Sequence, residues 1–327
     1  MNLTYPLLDT NKNIIITTHY GPDGDAIGSS LALYIHLKNL GHTVHAITPS
    51  KCPEFLSFLP FTETLINFEE EEEKAKGLIQ AADIIYCLDY NHFSRTRAMQ
   101  SFLEEAKGKK ILIDHHLFPE LEAFDFSWSN PEASSTCEMI YYYIFNHKGA
   151  KAFSLELMQL LYTGLVTDTG SFRFDRVSGD VHRILAFFKD QGLEHTPIHE
   201  KLFNTWSENR LRFLGHILAN RLKTLEKHSW SYIYITEEDF KQFNMRKEDI
   251  EGFVNYGLSI QGINRTVLFS QRGDDEVRLS FRSNVDYDIR EIAANYFNGG
   301  GHKNAAGGTF YGNIEDAIQY FKKEIIN

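Results

Sequence analysis

The first half of this 327-residue chain alternates β-rich runs with longer stretches of helical spacing: NIIITT, DAIGSSLALYIHLKNLG, TVHAIT, ADIIYCLD, KKILIDHH and STCEMIYYYIFNHKG. That order limits the fold more than any other feature, because strands separated by helices pair in parallel through βαβ crossovers. In such sheets the carboxyl ends of the strands share one rim, where ligands collect. The expected class is therefore α/β, with a parallel-sheet N-terminal domain. A helix-rich stretch follows from about Leu155, its later part read as a connector. Beyond about His228, WSYIYIT, RTVLFSQRG, EVRLSFRS, the helix DIREIAANYF and the loop NGGGHKNAAGGTF predict a smaller α+β domain with antiparallel strands. The expected boundaries are 1–190 for the catalytic domain, 191–227 for a helical connector and 228–327 for a substrate-binding domain.

Three of the predicted strands end in groups that ligate metals. THYGPDGDAIGSS carries His19, Asp23 and Asp25; ADIIYCLDY ends at Asp89; KKILIDHH ends at Asp114, His115 and His116. Asp168, in GLVTDTGSFRF, follows an apolar helical run and can reach the same rim. Any one of these is equally a turn former or a cap, and Asp25 reads as the N-cap of the helix it precedes. Separate caps do not explain acids and imidazoles on three successive strand ends. Carboxylates with a minority of imidazoles and no thiolates suit Mn²⁺, Mg²⁺ or Fe²⁺ better than structural zinc. An aspartate shared by two such ions spaces them about 3.5 to 4 Å apart, the arrangement used for phosphoester hydrolysis.

Composition narrows the field. A net charge of −11 argues against wrapping long duplex nucleic acid, which is dominated by Lys and Arg on phosphates. The run FEEEEEK reads as a solvated loop or helix edge. Cys52, Cys87 and Cys137 form no CxxC pair, so neither disulfides nor thiolate zinc is expected. No run approaches the roughly 18 apolar residues of a membrane span, and MNLTYPLLDTNK lacks a leader pattern, so a cytoplasmic protein is expected. Phe172 to Phe174, in SFRF, alternate like a half-buried strand, with Arg173 either near substrate or in a surface ion pair. Tyr141, Tyr142 and Tyr143 read as helix packing.

In order, His19-x-x-x-Asp23-x-Asp25, Asp89, Asp114-His115-His116 and Asp168 resemble the four motifs of the DHH phosphoesterase superfamily. GGGH, Gly299 to His302, with Arg282-Ser283 upstream, resembles its DHH-associated C-terminal domain. The resemblance implies one metal on His19, Asp23 and Asp89 and a second on Asp25, Asp89, His115 and Asp168. Asp89 would bridge two divalent ions, with Mn²⁺ favoured. It further implies that Asp114 orients a ligand imidazole and that His116 contacts the scissile phosphate or helps the leaving group. Gly299, Gly300, Gly301, His302, Arg282 and Ser283 would capture a substrate's terminal phosphate across a cleft.

A chain of only these two domains resembles the nanoRNase group, oligoribonucleases that also act on 3'-phosphoadenosine 5'-phosphate. The implied partners are short single-stranded RNA, dinucleotides such as pApA and nucleoside bisphosphates, without membrane or long duplex; a homodimer is compatible. The alternatives are a stand-alone cyclic-di-AMP or pApA phosphodiesterase, an inorganic pyrophosphatase or exopolyphosphatase, and a nucleotide sensor that does not hydrolyse. GGGH and the Arg-Ser pair argue against the pyrophosphatases, and the complete ligand set argues against the sensor.

Overall fold

The computed structural model describes residues 8–284 and 286–326, leaving out the side chains of Glu248 and His302. Most of the opening segment read for a leader thus lies outside the described residues. The chain divides into two compact units, Met1–Thr205 and Trp206–Asn327.

The first unit runs β1 (Asn13–Thr17), α1 (Gly24–Asn39), β2 (Thr43–Thr48), β3 (Ile66–Asn67), α2 (Glu72–Gln80), β4 (Ile84–Leu88), α3 (Gln100–Glu105), β5 (Lys109–Asp114) and β6 (Phe126–Ser129), followed by α4 (Thr136–Lys148), α5 (Leu155–Asp168), α6 (Gly179–Asp190) and α7 (Thr196–Phe203). Its six strands form one sheet in the order β3-β2-β1-β4-β5-β6, parallel throughout. Helices cover both faces, which is why the strands are apolar without alternation. Ile14 and Ile16 pack on one side with α1, α4 and α5, and Ile15, Ile85 and Leu112 on the other. The order reverses between β1 and β4, the switch point that opens a crevice at strand carboxyl ends.

Glycine sets the depth at which α5 docks. A Cβ on Gly28 would lie 2.5 Å from the Leu160 carbonyl oxygen, and one on Gly24 would lie 2.5 Å from Thr167 Oγ1. The two helices therefore touch backbone to backbone, and the start of α1 meets the end of α5. Asp168 reaches the rim by that route.

The second unit contains α8 (Glu208–Asn220), β7 (Leu222–Leu225), β8 (Trp230–Ile235), α9 (Glu237–Gln242), α10 (Asn255–Leu258), β9 (Arg265–Gln271), β10 (Glu276–Ser283), α11 (Arg290–Tyr296), β11 (Gly300–His302), β12 (Ala305–Tyr311) and α12 (Ile314–Phe321). Its sheet order is β11-β12-β10-β9-β8-β7. The expectation of antiparallel strands needs one correction: β8 and β9 are parallel. The 29 residues between them, which include α9 and α10, are long enough for the crossover that a parallel pair requires.

Candidate metal centre

Each acid or imidazole arrives on the rim by a separate local device. His19 lies two residues beyond β1, and Asp89 follows β4 directly, so they flank the switch point; His19 Nε2 is 3.6 Å from Asp89 Oδ2. Asp89 has a left-handed backbone, φ 62°, a conformation an L-residue other than Gly adopts at a cost. Its amide still donates to the Ile113 carbonyl at 3.2 Å. His115, after β5, brings Nε2 to 3.2 Å from Asp168, 3.5 Å from Asp89 and 3.9 Å from Asp25. Three sets of ligand atoms are close enough to hold a metal: His19, Asp23 and Asp89; Asp25, His115 and Asp168; and Asp89, His115 and His116.

Asp25 is not the cap of α1. That role falls to Asp23, whose Oδ1 accepts from the Asp25 and Ala26 amides while Oδ2 lies 4.0 Å from His19. Asp25, inside the first turn and fully buried, accepts instead from the Thr136 amide at 2.6 Å and the Cys137 amide at 2.8 Å. Those are orphan donors of the first turn of α4, so one aspartate is held by the start of another helix. Asp114 bonds His116: its Oδ1 is 2.7 Å from His116 Nδ1. The His115 Nδ1 is oriented by the Ala133 carbonyl oxygen at 3.4 Å.

The electrostatics follow from crowding. Burial, then the Asp89 charge, pushes the Asp25 carboxyl up to about 8. For His115 burial opposes protonation, but Asp89, Asp168 and Asp25 outweigh it and raise the imidazole to about 10. His19 is raised likewise, burial being overcome by Asp89 and Asp23. Burial works against the charge of Asp89 too, yet His115 and His19 hold it well below the usual carboxylate range. Such a cluster retains protons until a stronger positive charge displaces them.

In the second unit the register aligns the candidate residues by rows instead. Arg282 on β10 pairs with Ala305 on β12, which pairs with His302 on β11; the His302 side chain lies outside the described residues. Arg282 is half-buried, donates to the Phe281 carbonyl at 2.9 Å, and burial lowers its pKa. The Ser283 hydroxyl donates to the Tyr287 carbonyl and accepts from Asn304, so it offers an anion little donor capacity. The expected loop at 299–301 includes an edge strand from Gly300. A Cβ on Gly299 would meet the Gly307 carbonyl at 1.9 Å, and Gly301 has φ 142°, whereas Gly300 faces open space.

The model of the DHH family N-terminal domain matches residues 13–165, and that of the DHHA1 domain matches 229–327. The chain belongs to the DHH family. A bifunctional oligoribonuclease and PAP phosphatase, NrnA, of Thermus thermophilus is 30% identical to this DHH protein over 91% of its chain and 84% of the relative. NrnA of Bacillus subtilis is 27% identical, covering 94% and 91%. The crystal structure of an exopolyphosphatase-related protein from Bacteroides fragilis superposes with TM-score 0.93 at 36% identity, covering 98% of this chain and 93% of that one. Exonuclease RecJ bound to manganese shares the fold at TM-score 0.54 and 14% identity, covering 99% and 94%. This DHH protein is accordingly a hydrolase of phosphoester bonds. Among its described residues no helix is long and apolar enough to cross a membrane.

Several supporting groups of the DHH centre escaped the sequence reading. Thr136 donates its hydroxyl to Asp89 at 3.0 Å, and a Cβ on Gly164 would lie 2.2 Å from Cys137 Sγ and 2.7 Å from Asp25 Oδ1. SFRF is no strand: Gly170, Ser171 and Phe172 all have positive φ, and the turn brings the Ser171 amide back to the Val166 carbonyl. Arg173 caps that turn, its Nε donating to the Gly170 carbonyl, and among the described residues it forms no ion pair. Tyr141 and Tyr143 are buried in α4, as helix packing requires.

Proposed function

We propose that this DHH protein is a two-metal phosphoesterase. It cleaves short oligoribonucleotides, dinucleotides such as pApA above all, to mononucleotides, and 3'-phosphoadenosine 5'-phosphate to AMP. One observation carries the reading: the buried Asp89 carboxylate lies 3.6 Å from His19 and 3.5 Å from His115, so it links two sets of ligand atoms. The donor set fits divalent cations. Asp25 and Asp89 repel one another in a buried place, and Asp168 ends α5, where the helix dipole disfavours a carboxylate.

His19, Asp23 and Asp89 would hold one ion, and Asp25, Asp89, His115 and Asp168 the other, with Mn²⁺ favoured by oxygen and imidazole donors. Bound there, the pair supplies a water nucleophile at neutral pH and neutralises charge on the phosphoryl oxygens. Asp114 holds His116 through Nδ1, and His116 would deliver a proton to the leaving-group oxygen. Arg282 and the outward amides of the β11 edge recognise the substrate's terminal phosphate, with His302 completing the set. The names of the T. thermophilus and B. subtilis relatives support the substrate class.

Turnover in Mn²⁺ with pApA, short RNA, 3'-phosphoadenosine 5'-phosphate, cyclic di-AMP and pyrophosphate tests the proposal. Cleavage of pApA and the bisphosphate is expected. Pyrophosphate as the sole good substrate would overturn it.

A further inference from the structure

The segment after Asp89 carries two arginines, Arg95 and Arg97, that the ligand set does not use. Both are tied to the residue that follows the metal-rim imidazole His19. The Tyr20 amide donates to the Arg95 carbonyl at 2.8 Å, and the Arg97 guanidinium sits 3.7 Å above the Tyr20 ring. A cation so placed over an aromatic face is held electrostatically.

The clasp has a conformational cost. Arg97 has φ 51° and ψ −115°, outside every helical region, within a stretch that is otherwise a tight helical turn. Backbone held this way persists where the surroundings fix it, and such outliers gather at functional sites. Further bonds brace the turn from within: Arg95 N to the His92 carbonyl, Ser94 N to His92 Nδ1 and Thr96 Oγ1 to the Phe93 carbonyl.

The braced turn presents one side chain without an assigned task. Arg95 is half-buried, and its charge reaches His19, where it opposes protonation. Among the described residues its guanidinium makes no hydrogen bond or ion pair. A cation carried on a turn bonded to the residue after His19, yet paired with no carboxylate, is suited to an anion that arrives from solution. The planar fork of arginine matches two phosphoryl oxygens.

We infer that Arg95 binds the non-bridging oxygens of the phosphoryl group undergoing hydrolysis, approaching it from the His19 side, with the Tyr20–Arg97 clasp as its splint. The inference rests on the two-metal reading above. It adds a phosphate contact from the N-terminal unit, so it applies to every phosphodiester substrate, whatever its terminus.

The test uses the full-length protein loaded with Mn²⁺, with inorganic phosphate as a calorimetric probe and bis(4-nitrophenyl) phosphate as a substrate lacking a terminal phosphate. Arg95→Gln should weaken phosphate binding and lower kcat/KM by about tenfold or more, the scale of a lost charge-assisted contact. Mn²⁺ affinity should not fall. Arg95→Lys, which keeps the charge without the fork, should recover part of both losses, and Arg97→Ala should give a smaller loss of the same kind. Phosphate affinity within twofold of wild type in Arg95→Gln would overturn the inference, as would a loss of Mn²⁺ binding in step with the loss of phosphate. Wild-type protein that binds no Mn²⁺ or cleaves no diester would instead remove the two-metal reading, and the inference with it.

Discussion

The two units each contain a six-stranded sheet, but they organise polar side chains in opposite ways. In the first, all strands run in parallel, so every carboxyl end lies on one rim; His19, Asp89 and His115 meet there although up to 96 positions separate them in sequence. In the second, four of the five strand pairings are antiparallel, so strand ends alternate between rims except at the parallel β8–β9 pair. Its candidate residues are gathered across the strands, Arg282 beside Ala305 beside His302. A parallel sheet concentrates charge at a point, which suits a metal centre. A mixed sheet spreads groups along a row and an edge, which suits recognition of an anion.

Four results would sharpen or break that contrast. The largest effect belongs to the point: Asp89→Ala should lower turnover on all substrates by on the order of a thousandfold, the scale of losing several kcal/mol of charge stabilisation. Calorimetry should show Mn²⁺ stoichiometry falling at the same time. Retention of a tenth of the activity would deny Asp89 its linking position.

Next comes pH. Without a cation, His115 holds its proton up to about 10 and the Asp25 carboxyl up to about 8. A metal must displace these protons, so affinity should climb as pH rises towards these values, by about tenfold per pH unit for each proton released. Titrations between pH 6.5 and 8 in buffers of different ionisation enthalpy measure that release. A flat profile would mean that the acids and imidazoles do not share the ion.

The row should show a narrower effect. Arg282→Ala is expected to raise KM for pApA by about tenfold, as expected for a charge-assisted contact, while an aryl phosphodiester without a terminal phosphate stays within about threefold. Equal losses on both would remove the proposed division of labour. The smallest effects are structural: Gly164→Ala, which crowds Asp25, and Gly299→Ala, which meets the Gly307 carbonyl, should each cost about 1–3 kcal/mol. Gly300→Ala, facing open space, should leave Tm nearly unchanged.

Local chemistry made the first unit easy to read. Apolar runs of five or six residues mark β1, β2, β4 and β5, and an acid or imidazole at the end of three of them points to one rim. What escaped depends on non-local packing. The capping of α4 by Asp25, 111 residues away, leaves no sequence pattern, so Asp25 read as a cap for its own helix. The Thr136 and Gly164 contacts are invisible for the same reason. In SFRF the alternation of Phe172 and Phe174 imitates a strand because periodicity is blind to three successive positive φ values. In the second unit, GGGH read as a loop because three glycines lack any strand signal, whereas pairing with β12 extends the sheet there.

Anomalous diffraction from crystals grown with Mn²⁺ would test the paired centre most directly. The account requires two manganese peaks, one against His19 and Asp23 and one against Asp25, His115 and Asp168, with Asp89 touching both. A single peak, or peaks that leave Asp89 without a bound ion, would contradict it.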